Sequence, residues 1–149
     1  MNNQNLENIS HHYAGVLLET EDGRLIGQQR DDKPGIDNPG RVATFGGTVE
    51  EGEDPLHAAW RELVEEETNL KIDKERLRHF FTDTAFRKLT NEQEVRHFYA
   101  ATITNEQLEQ LEVYEGRGWA EISGDDDPAL VDLWRPVIEA YHAQGSQQA

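Results

Sequence analysis

The chain has 149 residues, no cysteine and a formal net charge of −16, with 30 acidic residues against 14 lysines and arginines. This charge argues against a nucleic-acid polymer or an anionic membrane as partner, because both are bound through basic surfaces. The lack of cysteine excludes disulfides and thiol chemistry. The length and a hydrophobic fraction of 36% predict a single domain over residues 1–149, and the absence of an apolar leader predicts a cytoplasmic protein.

Strands and loops are predicted for the first third of the chain. Residues 1–10 are polar and predict a flexible arm, whereas residues 13–19 are apolar and β-prone. The turn signal at 21–23 indicates a hairpin with a returning strand at 24–30. Residues 31–40, dense in proline, glycine and aspartate, predict a loop before a short strand at 41–45.

A helix with clear start signals follows the glycine pair Gly46 and Gly47. Asp54 is a good N-cap, because its carboxylate can accept from the free N–H groups of the first turn, and Pro55 suits the first helical position. Nothing breaks the helix before Glu67. The face expected to pack on a sheet carries Leu56, Ala59, Leu63 and Leu70.

Three glutamates of this helix are spaced so that an α-helix brings them to one face. Glu62, Glu65 and Glu66 stand at i, i+3 and i+4. Their repulsion costs roughly 0.2–0.5 kcal/mol per pair, so water or a divalent cation must offset it. Mg²⁺ prefers oxygen ligands and is usually held by one or two carboxylates together with substrate phosphates. The residues alone leave open a solvated acidic face and a metal site.

Further strands alternating with helices are predicted for the second half. Strands at 79–87 and 94–103 flank a loop at 88–93, and Thr104 can cap a short helix through residue 112. A last strand at 117–122 precedes Asp127 and Pro128, which repeat the helix-start signal for a helix through residue 142. Residues 144–149 are predicted to be flexible. No repeat or linker divides the chain, and the fold class is α/β.

The stretch from Gly47 onwards resembles the Nudix box, G-x5-E-x7-R-E-U-x-E-E-x-G-U, in which U is a bulky aliphatic residue. The positions in register are Gly47, Glu53, Arg61, Glu62, Glu65 and Glu66. The ending departs, because the pattern has glycine at Thr68 and an aliphatic residue at Asn69. One extra residue after Glu66 restores the ending, and predicts a longer helix closed by Asn69 in the left-handed conformation.

The resemblance implies the Nudix fold, a mixed β-sheet sandwiched between α-helices, and a pyrophosphohydrolase that depends on Mg²⁺ or Mn²⁺. Water would attack a phosphorus atom of a nucleoside diphosphate linked to another group X, and a diphosphate linkage would break. The implied metal ligands are Gly46 through its carbonyl, Glu62, Glu65 and Glu66. Arg61 would pair with Glu53 and orient the cluster, with an ordinary i, i+4 ion pair to Glu65 as the alternative.

The general base in this family often lies in a loop after the later strands. Glu115, next to Gly116 and just before a strand, is the candidate here, against a solvated loop glutamate. The alternative bases are Glu112 and Glu94. Basic residues that could meet phosphate or base, against plain surface charges, are Arg30, Arg41 and Arg87, with Lys88, Arg96 and Arg117. Aromatic residues that could stack on a base, against core packing, are Trp119, Phe86, Phe98 and Tyr99.

Two classes of function are compatible with the resemblance. One is a hydrolase, and the other is a catalytically weak Nudix domain that senses nucleotides or binds a protein. The presence of every carboxylate of the box favours the hydrolase, because degenerate domains usually lose them. The substrate stays open among an oxidised dNTP, ADP-ribose, a nucleotide sugar and a dinucleoside polyphosphate. A homodimer is compatible with the resemblance, since dimers are common among relatives.

Overall fold

A computed structural model describes residues 9, 11–36, 38–87 and 90–148, with side chains up to residue 144. The strands are β1 (His12–Thr20), β2 (Leu25–Gln29), β3 (Val42–Ala43), β4 (Phe45–Thr48), β5 (Arg78–Arg87), β6 (Glu92–Ile103) and β7 (Trp119–Ile122). The helices are α1 (Pro55–Trp60), α2 (Asn105–Glu109) and α3 (Arg135–Gln148). A π-helix covers Arg61–Glu67, and short 3₁₀ turns cover Lys74–Arg76 and Asp132–Trp134.

One mixed sheet of seven strands has the main order β3-β2-β1-β6-β5. β1 runs parallel to β6 along residues 12–20, whereas the other pairs are antiparallel. The opposite edge of β1 is shared, since residues 13–16 pair with β4 and residues 18 and 19 pair with β2. β4 thereby carries the glycine pair from the centre of the sheet towards the helix that follows it.

Two apolar cores lie on the two faces of the sheet. Along β1 successive buried side chains point alternately to the two faces of the sheet, because both faces are covered. Val16 and Leu18 belong to the core that includes α1 and α2, whereas Leu17 packs with Val137 and Ile138 of α3. The predicted arrangement, a mixed sheet between helices, is confirmed. Among the described helices, none is long and apolar enough to cross a membrane.

The helix of the box starts as predicted but does not continue as predicted. Asp54 accepts from the backbone N–H of Leu56, and Pro55 occupies the first turn. The α-helical hydrogen bonds end after Trp60, and a π-helix continues to Glu67. At its end Thr68 N donates to the carbonyl of Leu63, five residues earlier, at 3.1 Å. The prediction of an uninterrupted α-helix is therefore wrong, because the chain fits one extra residue into this turn.

Asn69 does not close the helix in a left-handed conformation, so that prediction is also wrong. Among the described residues other than glycine, only Asn38 and Asn91 have positive φ. Thr68 is extended and forms an isolated bridge with Val113. The Asn69 side chain donates to the carbonyl of Gln110 at 2.9 Å and accepts from the N–H of Glu112 at 2.8 Å. Asn69 therefore fastens the end of the π-helix to the segment after α2.

Asn69→Gly is expected to destabilise the protein. The change removes two side-chain hydrogen bonds, each worth about 1 kcal/mol, and adds backbone freedom to the unfolded chain. For a domain of this size, we expect the melting temperature to fall by about 4–8 °C. Asn69→Asp keeps only the acceptor for the N–H of Glu112, so its loss should be smaller. An unchanged melting temperature of Asn69→Gly in thermal unfolding by circular dichroism would contradict this role.

The helix predicted from Asp127 and Pro128 does not start there. The Asp127 carboxylate accepts from the N–H groups of Ser123 and Ala129, both at 2.9 Å, which is the hydrogen bonding of a turn. Val131 then pairs with Val42 of β3 through its N–H at 2.9 Å, and α3 begins only at Arg135. A pairing with the sheet therefore overrides a local helix signal.

Several terminal and loop predictions fall wholly or partly on residues outside the described ranges. These are most of the arm at 1–10, Lys88 in the loop 88–93, and Ala149. The backbone of α3 continues through Gln148, so the segment predicted to be flexible is largely helical.

Candidate active site

A cluster of three carboxylates lies where the π-helix meets the loop before β7. Glu62, Glu67 and Glu115 each place a carboxylate oxygen within 4.8 Å of those of the other two. Glu62 is half-buried, Glu67 is buried and Glu115 is exposed. The cluster thus has an inner end within the protein and an outer end that solvent and a ligand can reach.

The π-helix decides which glutamates belong to the cluster. In an α-helix the residue at i+4 lies above residue i, whereas the hydrogen bonds of a π-helix, from i to i+5, bring the residue at i+5 to that position. Glu67 therefore joins Glu62, five residues before it, and Glu65 and Glu66 are exposed outside the cluster. The expected face of Glu62, Glu65 and Glu66 is therefore changed: Glu67 takes the place beside Glu62, whereas Glu66 stays near Glu62 because both contact Nη1 of Arg61. The role of Glu65 and Glu66 as metal ligands stays a prediction.

Glu67 is the most buried member of the cluster, with 2% of its surface exposed. One of its oxygens accepts from the backbone N–H of Gly46 at 3.0 Å. Burial raises the pKa of Glu67 to about 9, and the negative charges of Glu62 and Glu115 add to this effect. Burial also raises the pKa of Glu62, with the charge of Glu66 as the next cause. In the absence of a cation, the cluster therefore tends to retain a proton.

This donor set fits a hard divalent cation. Its members offer only carboxylate oxygens, the ligands that Mg²⁺ and Mn²⁺ prefer. The raised pKa of Glu67 shows that negative charge at this place lacks compensation from the protein. A cation bound there would replace the proton and neutralise the carboxylates. The predicted carbonyl ligand, Gly46, lies beside the cluster, since its N–H contacts Glu67.

The loop that carries Glu115 is fastened on both sides. Tyr114 N donates to the carbonyl of Glu67 at 2.6 Å, and the side chain of Gln28 donates to the carbonyl of Glu115 at 2.9 Å. Gly116 has φ +78°, and a Cβ there would lie 2.4 Å from the carbonyl oxygen of Gln29. Glycine therefore lets this loop approach β2 closely and brings Glu115 to the cluster.

The two alternative bases lie outside the three-carboxylate cluster. Glu112 is exposed, and its N–H is bonded to Asn69. A carboxylate oxygen of Glu94 lies 3.2 Å from Nε2 of His11. Among the described acidic residues and histidines, only Glu115 joins Glu62 and Glu67 in a group with the spacing of metal ligands.

Arg61 connects the acidic loop to the cluster. Its guanidinium forms a double hydrogen bond with Glu53, at 2.7 and 2.9 Å, and lowers the pKa of Glu53 to about 2. Its Nη1 also contacts Glu62 at 3.1 Å and Glu66. In the described structure its ion pairs are with Glu53, Glu62 and Glu66, so the alternative pair with Glu65 is not formed. Arg61 thus holds the carboxylate of Glu62 through Nη1.

Gly47 leaves just enough space for Glu62. A Cβ added at Gly47 would lie 2.4 Å from the carboxyl carbon of Glu62, closer than any real contact. The obstacle is the end of a flexible side chain, so the added methyl would push the carboxylate aside without disturbing the backbone. The second glycine of the pair is therefore required by the position of Glu62.

Gly47→Ala is expected to keep the fold and lose activity. A displaced Glu62 leaves the cluster, and a misplacement of about 1 Å can reduce the rate by about 100-fold. We expect kcat/KM to fall by at least about tenfold, with the melting temperature within about 2 °C of that of the wild type. Gly124→Ala, far along the chain and close only to the side chain of Asp126, is the matched control. Full activity of Gly47→Ala would show that Glu62 need not occupy its observed position.

A cavity of about 470 Å³ adjoins the cluster at Gly46 and Gly47. Two of the three arginines predicted to contact substrate, Arg30 and Arg87, line it. Arg41 does not belong to the lining, because its guanidinium donates to the carbonyls of Pro128, Ala129 and Leu130 at 3.2, 3.1 and 2.6 Å. Arg41 therefore holds the segment before α3 against the sheet.

The four aromatic candidates separate into two groups. Phe98 and Tyr99 are buried in the core, as the alternative of core packing predicts. Phe86 is 57% exposed and lines the cavity, whereas Trp119 is 38% exposed on β7 and lies outside the lining. Phe86 is therefore the one of these four aromatic residues whose exposed ring lines the cavity. Trp134, which also lines the cavity, was not among the candidates.

Glu67 is the main site residue that the sequence analysis missed. The signal was present in the ending of the box. If the extra residue stands before Glu66 rather than after it, Glu66 and Glu67 take the two glutamate positions, and Asn69 and Leu70 take the last two. The buried position of Glu67 and the π-helix favour this register.

Comparison with known proteins identifies the family and the fold. The family profile described as NUDIX domain matches residues 10–147. No curated protein sequence matches the chain. Among solved structures, a MutT protein from Methanosarcina mazei Go1 superposes with a TM-score of 0.72 at 15% identity, covering 91% of this chain and 94% of that one.

Two other similar structures contain nucleotide-processing proteins. An Ap4A hydrolase from C. elegans, in a binary complex, gives a TM-score of 0.64 at 19% identity, covering 91% of this chain and 98% of that one. A bifunctional NMN adenylyltransferase/ADP ribose pyrophosphatase from Francisella tularensis, complexed with AMP and a Mn ion, gives a TM-score of 0.63 at 18% identity, covering 89% of this chain and 41% of that one. At these identities the structural likeness establishes the fold, and the profile match establishes the family. The chain therefore belongs to the Nudix family and is a hydrolase of pyrophosphate bonds.

Proposed function

We propose that the protein is a metal-dependent pyrophosphohydrolase that cleaves a diphosphate linkage in a nucleoside diphosphate linked to another group. The observation that carries the proposal is the cluster of Glu62, Glu67 and Glu115 next to a cavity of about 470 Å³. A cluster of this kind can hold Mg²⁺ or Mn²⁺ against phosphate oxygens, and the cavity has the size of a small-molecule site. The similar structures with AMP and a Mn ion and with Ap4A hydrolase activity support this choice.

In this proposal Glu62 and Glu67 hold the cation, together with the carbonyl of Gly46. A bound divalent cation neutralises phosphate oxygens and lowers the pKa of its water. Glu67 contributes from the buried side, where its pKa is raised to about 9 and a cation would favour its ionised form. We assign no ligand role to Glu65, which is exposed outside the cluster.

Glu115 serves in this proposal as the general base. It is the exposed member of the cluster, so an attacking water can reach its carboxylate and give up a proton to it. The backbone bonds that join its loop to Glu67 and Gln28 support this assignment, because they keep the loop next to the cluster. Arg61 and Glu53 act as positioning residues, because the double hydrogen bond with Glu53 fixes the Arg61 guanidinium, and Nη1 of Arg61 donates to Glu62.

The cavity would hold the nucleoside part of the substrate. Arg30 and Arg87 stand in its wall as positive charges for phosphate oxygens, and Phe86 presents a ring on which a base can stack. Arg87 also bonds His11 at 2.8 Å, which fixes the direction of its guanidinium. The same wall reaches Gly46 and Gly47, so a bound nucleoside would place its phosphates at the cluster.

An assay of the nucleotide, sugar-phosphate and pyrophosphate products released from a panel of compounds, separated by ion-exchange chromatography, tests the proposal. The panel contains nucleoside triphosphates, ADP-ribose, nucleotide sugars and dinucleoside polyphosphates, with and without Mg²⁺ or Mn²⁺. We expect release from at least one member only with the cation, and loss of release in Glu67→Gln. Binding of nucleotides without release from any member would instead favour the alternative function, a nucleotide-sensing or protein-binding domain.

We also propose that the protein acts in the cytoplasm on a small molecule rather than on a nucleic-acid polymer. The formal net charge of −16 supports the choice of a small molecule, because a polyanion would be repelled over most of the surface. A homodimer remains compatible with the family and is decided by light scattering in solution.

A further inference from the structure

We propose that Arg96 reads a carbonyl oxygen on the base of the substrate, so that the cavity selects oxo-bearing bases over their amino counterparts. The inference rests on the proposed function, since it concerns the nucleoside that the cavity would hold. Arg96 lies on β6, is 2% exposed, and forms part of the cavity wall. Selection of the base would therefore come from inside the fold rather than from a surface loop.

Three hydrogen bonds fix the Arg96 guanidinium and leave one nitrogen unused. Nε and Nη2 donate to the two carboxylate oxygens of Asp83 at 2.8 and 2.6 Å, and Nη2 also donates to the carbonyl of Leu133 at 2.9 Å. Among the described side chains, Nη1 of Arg96 is the buried polar atom for which the structure gives no partner. Buried donors without a partner are rare and costly in native proteins, so this one indicates a ligand contact.

The chemistry of Nη1 defines the ligand atom. An arginine nitrogen can only donate, so the partner must be an acceptor. The charge of Arg96 is already compensated by the double hydrogen bond with Asp83. Glu94 lines the same cavity two residues away on the same face of β6, and adds negative charge. A neutral carbonyl oxygen therefore suits this position better than a second carboxylate or a phosphate.

The direction of Nη1 is rigidly set. The guanidinium carbon lies 5.1 Å from the ring centre of Phe98 and 4.9 Å from that of Trp134. Trp134 is itself held, because its indole N–H donates to the hydroxyl of Thr44 at 2.8 Å. A donor fixed in this way strengthens the binding of a base with a carbonyl at that place. It weakens the binding of a base with an amino group there, because two donors would then face each other.

Paired nucleotides that exchange an oxo for an amino group, with the accompanying change of proton on the adjacent ring nitrogen, give the test. Inosine and adenosine monophosphates differ by 6-oxo against 6-amino, and uridine and cytidine monophosphates differ by 4-oxo against 4-amino. We expect the oxo member of at least one pair to bind the wild-type protein at least about tenfold more tightly in titration calorimetry without metal. Equal affinities within both pairs, or no binding of any of the four, would overturn the inference.

The variants separate the donor from its anchor. Arg96→Gln alone would leave the Asp83 carboxylate unpaired, so the double variant Arg96→Gln, Asp83→Asn replaces the pair by two neutral amides. We expect the double variant to lose the preference, with a ratio below about threefold, while Asp83→Asn alone keeps the donor and part of the preference. A double variant that folds and retains the full tenfold ratio would show that another group reads the base.

A measurement on the wild type covers the case in which the double variant does not fold. In ¹⁵N spectra of the arginine guanidinium groups, the Arg96 signal should shift on addition of the preferred oxo nucleotide and shift less with its amino counterpart. An unmoved signal at saturation means that no atom of the nucleotide reaches Nη1, and it overturns the inference. Metal-dependent turnover without an oxo preference refutes this inference alone, whereas an Arg96-dependent preference without turnover on any nucleotide refutes the proposed hydrolysis alone.

Discussion

Glu67→Gln is expected to reduce kcat by at least about 100-fold, whereas Glu65→Gln should remain within about threefold of the wild type. Glu67 lies in the three-carboxylate cluster and Glu65 is exposed outside it. The amide of glutamine keeps the shape of Glu67 and can still accept from the N–H of Gly46, but it removes the charge that holds a cation. A loss of about 3 kcal/mol in transition-state stabilisation corresponds to the expected decrease in rate.

The two variants form a matched pair, because both change a glutamate to glutamine on the same short π-helix. Steady-state kinetics at saturating Mg²⁺ and with the best substrate of the panel measure the effect, and circular dichroism checks the fold of each variant. The opposite result, an inactive Glu65→Gln and an active Glu67→Gln, would mean that the box functions with α-helical spacing. The assignment of Glu67 to the site would then be withdrawn.

The strands and the start of the helix follow from local sequence. The apolar run of β1, the hairpin turn before β2 and the cap at Asp54 are signals that act over a few residues, and the structure contains all three elements. Thr104 caps α2 in the same local way, through the reciprocal hydrogen bonds with Gln107. Such features are predictable because their energies depend on neighbours in the chain.

The π-helix was not predictable in this way. The residues of Arg61–Glu67 include no glycine or proline that would mark a change from the common α-helix to the rare π-helix. The extra turn is fixed from outside, because Leu63 and Leu70 must both enter the core and Thr68 must meet Val113. Thr68 and Val113 lie more than forty positions apart in the chain. The same lack of local information explains why the register of Glu67 was missed.

Competition between local and distant contacts also determines the conformation of the segment before α3. Asp127 and Pro128 can begin a helix or a turn with similar hydrogen bonds, and the sequence does not distinguish them. The pairing of Val131 with Val42 and the bonds from Arg41 to the carbonyls of this segment select the turn. Glu115, in contrast, was proposed from the family resemblance, since it lies next to Gly116 just before a strand. In the structure Gly116 allows its loop to approach the backbone of Gln29.

The stability of the protein without metal is expected to fall as the pH rises from 6.5 to 8.5. The folded pKa of Glu67 is about 9, above the ordinary value of 4.5, so the folded state binds one proton more than the unfolded state between these values. Stability then decreases with increasing pH across this window, because ionisation is easier in the unfolded chain. We expect the melting temperature to drop by several degrees in the wild type and to change less in Glu67→Gln, which has no proton to lose there.

A divalent cation should reverse this loss. A cation that binds only the folded state at about 100 times its Kd adds about 2.7 kcal/mol, or roughly 5–10 °C in melting temperature for a domain of this size. The gain from several millimolar Mg²⁺ or Mn²⁺ should be larger at pH 8.5 than at pH 6.5, because the cation competes with the proton on Glu67. Differential scanning calorimetry at both pH values, with NaCl at equal ionic strength as control, measures it. If Glu67→Gln gains as much from the cation as the wild type does, the buried carboxylate is not a ligand and the cluster binds metal without it.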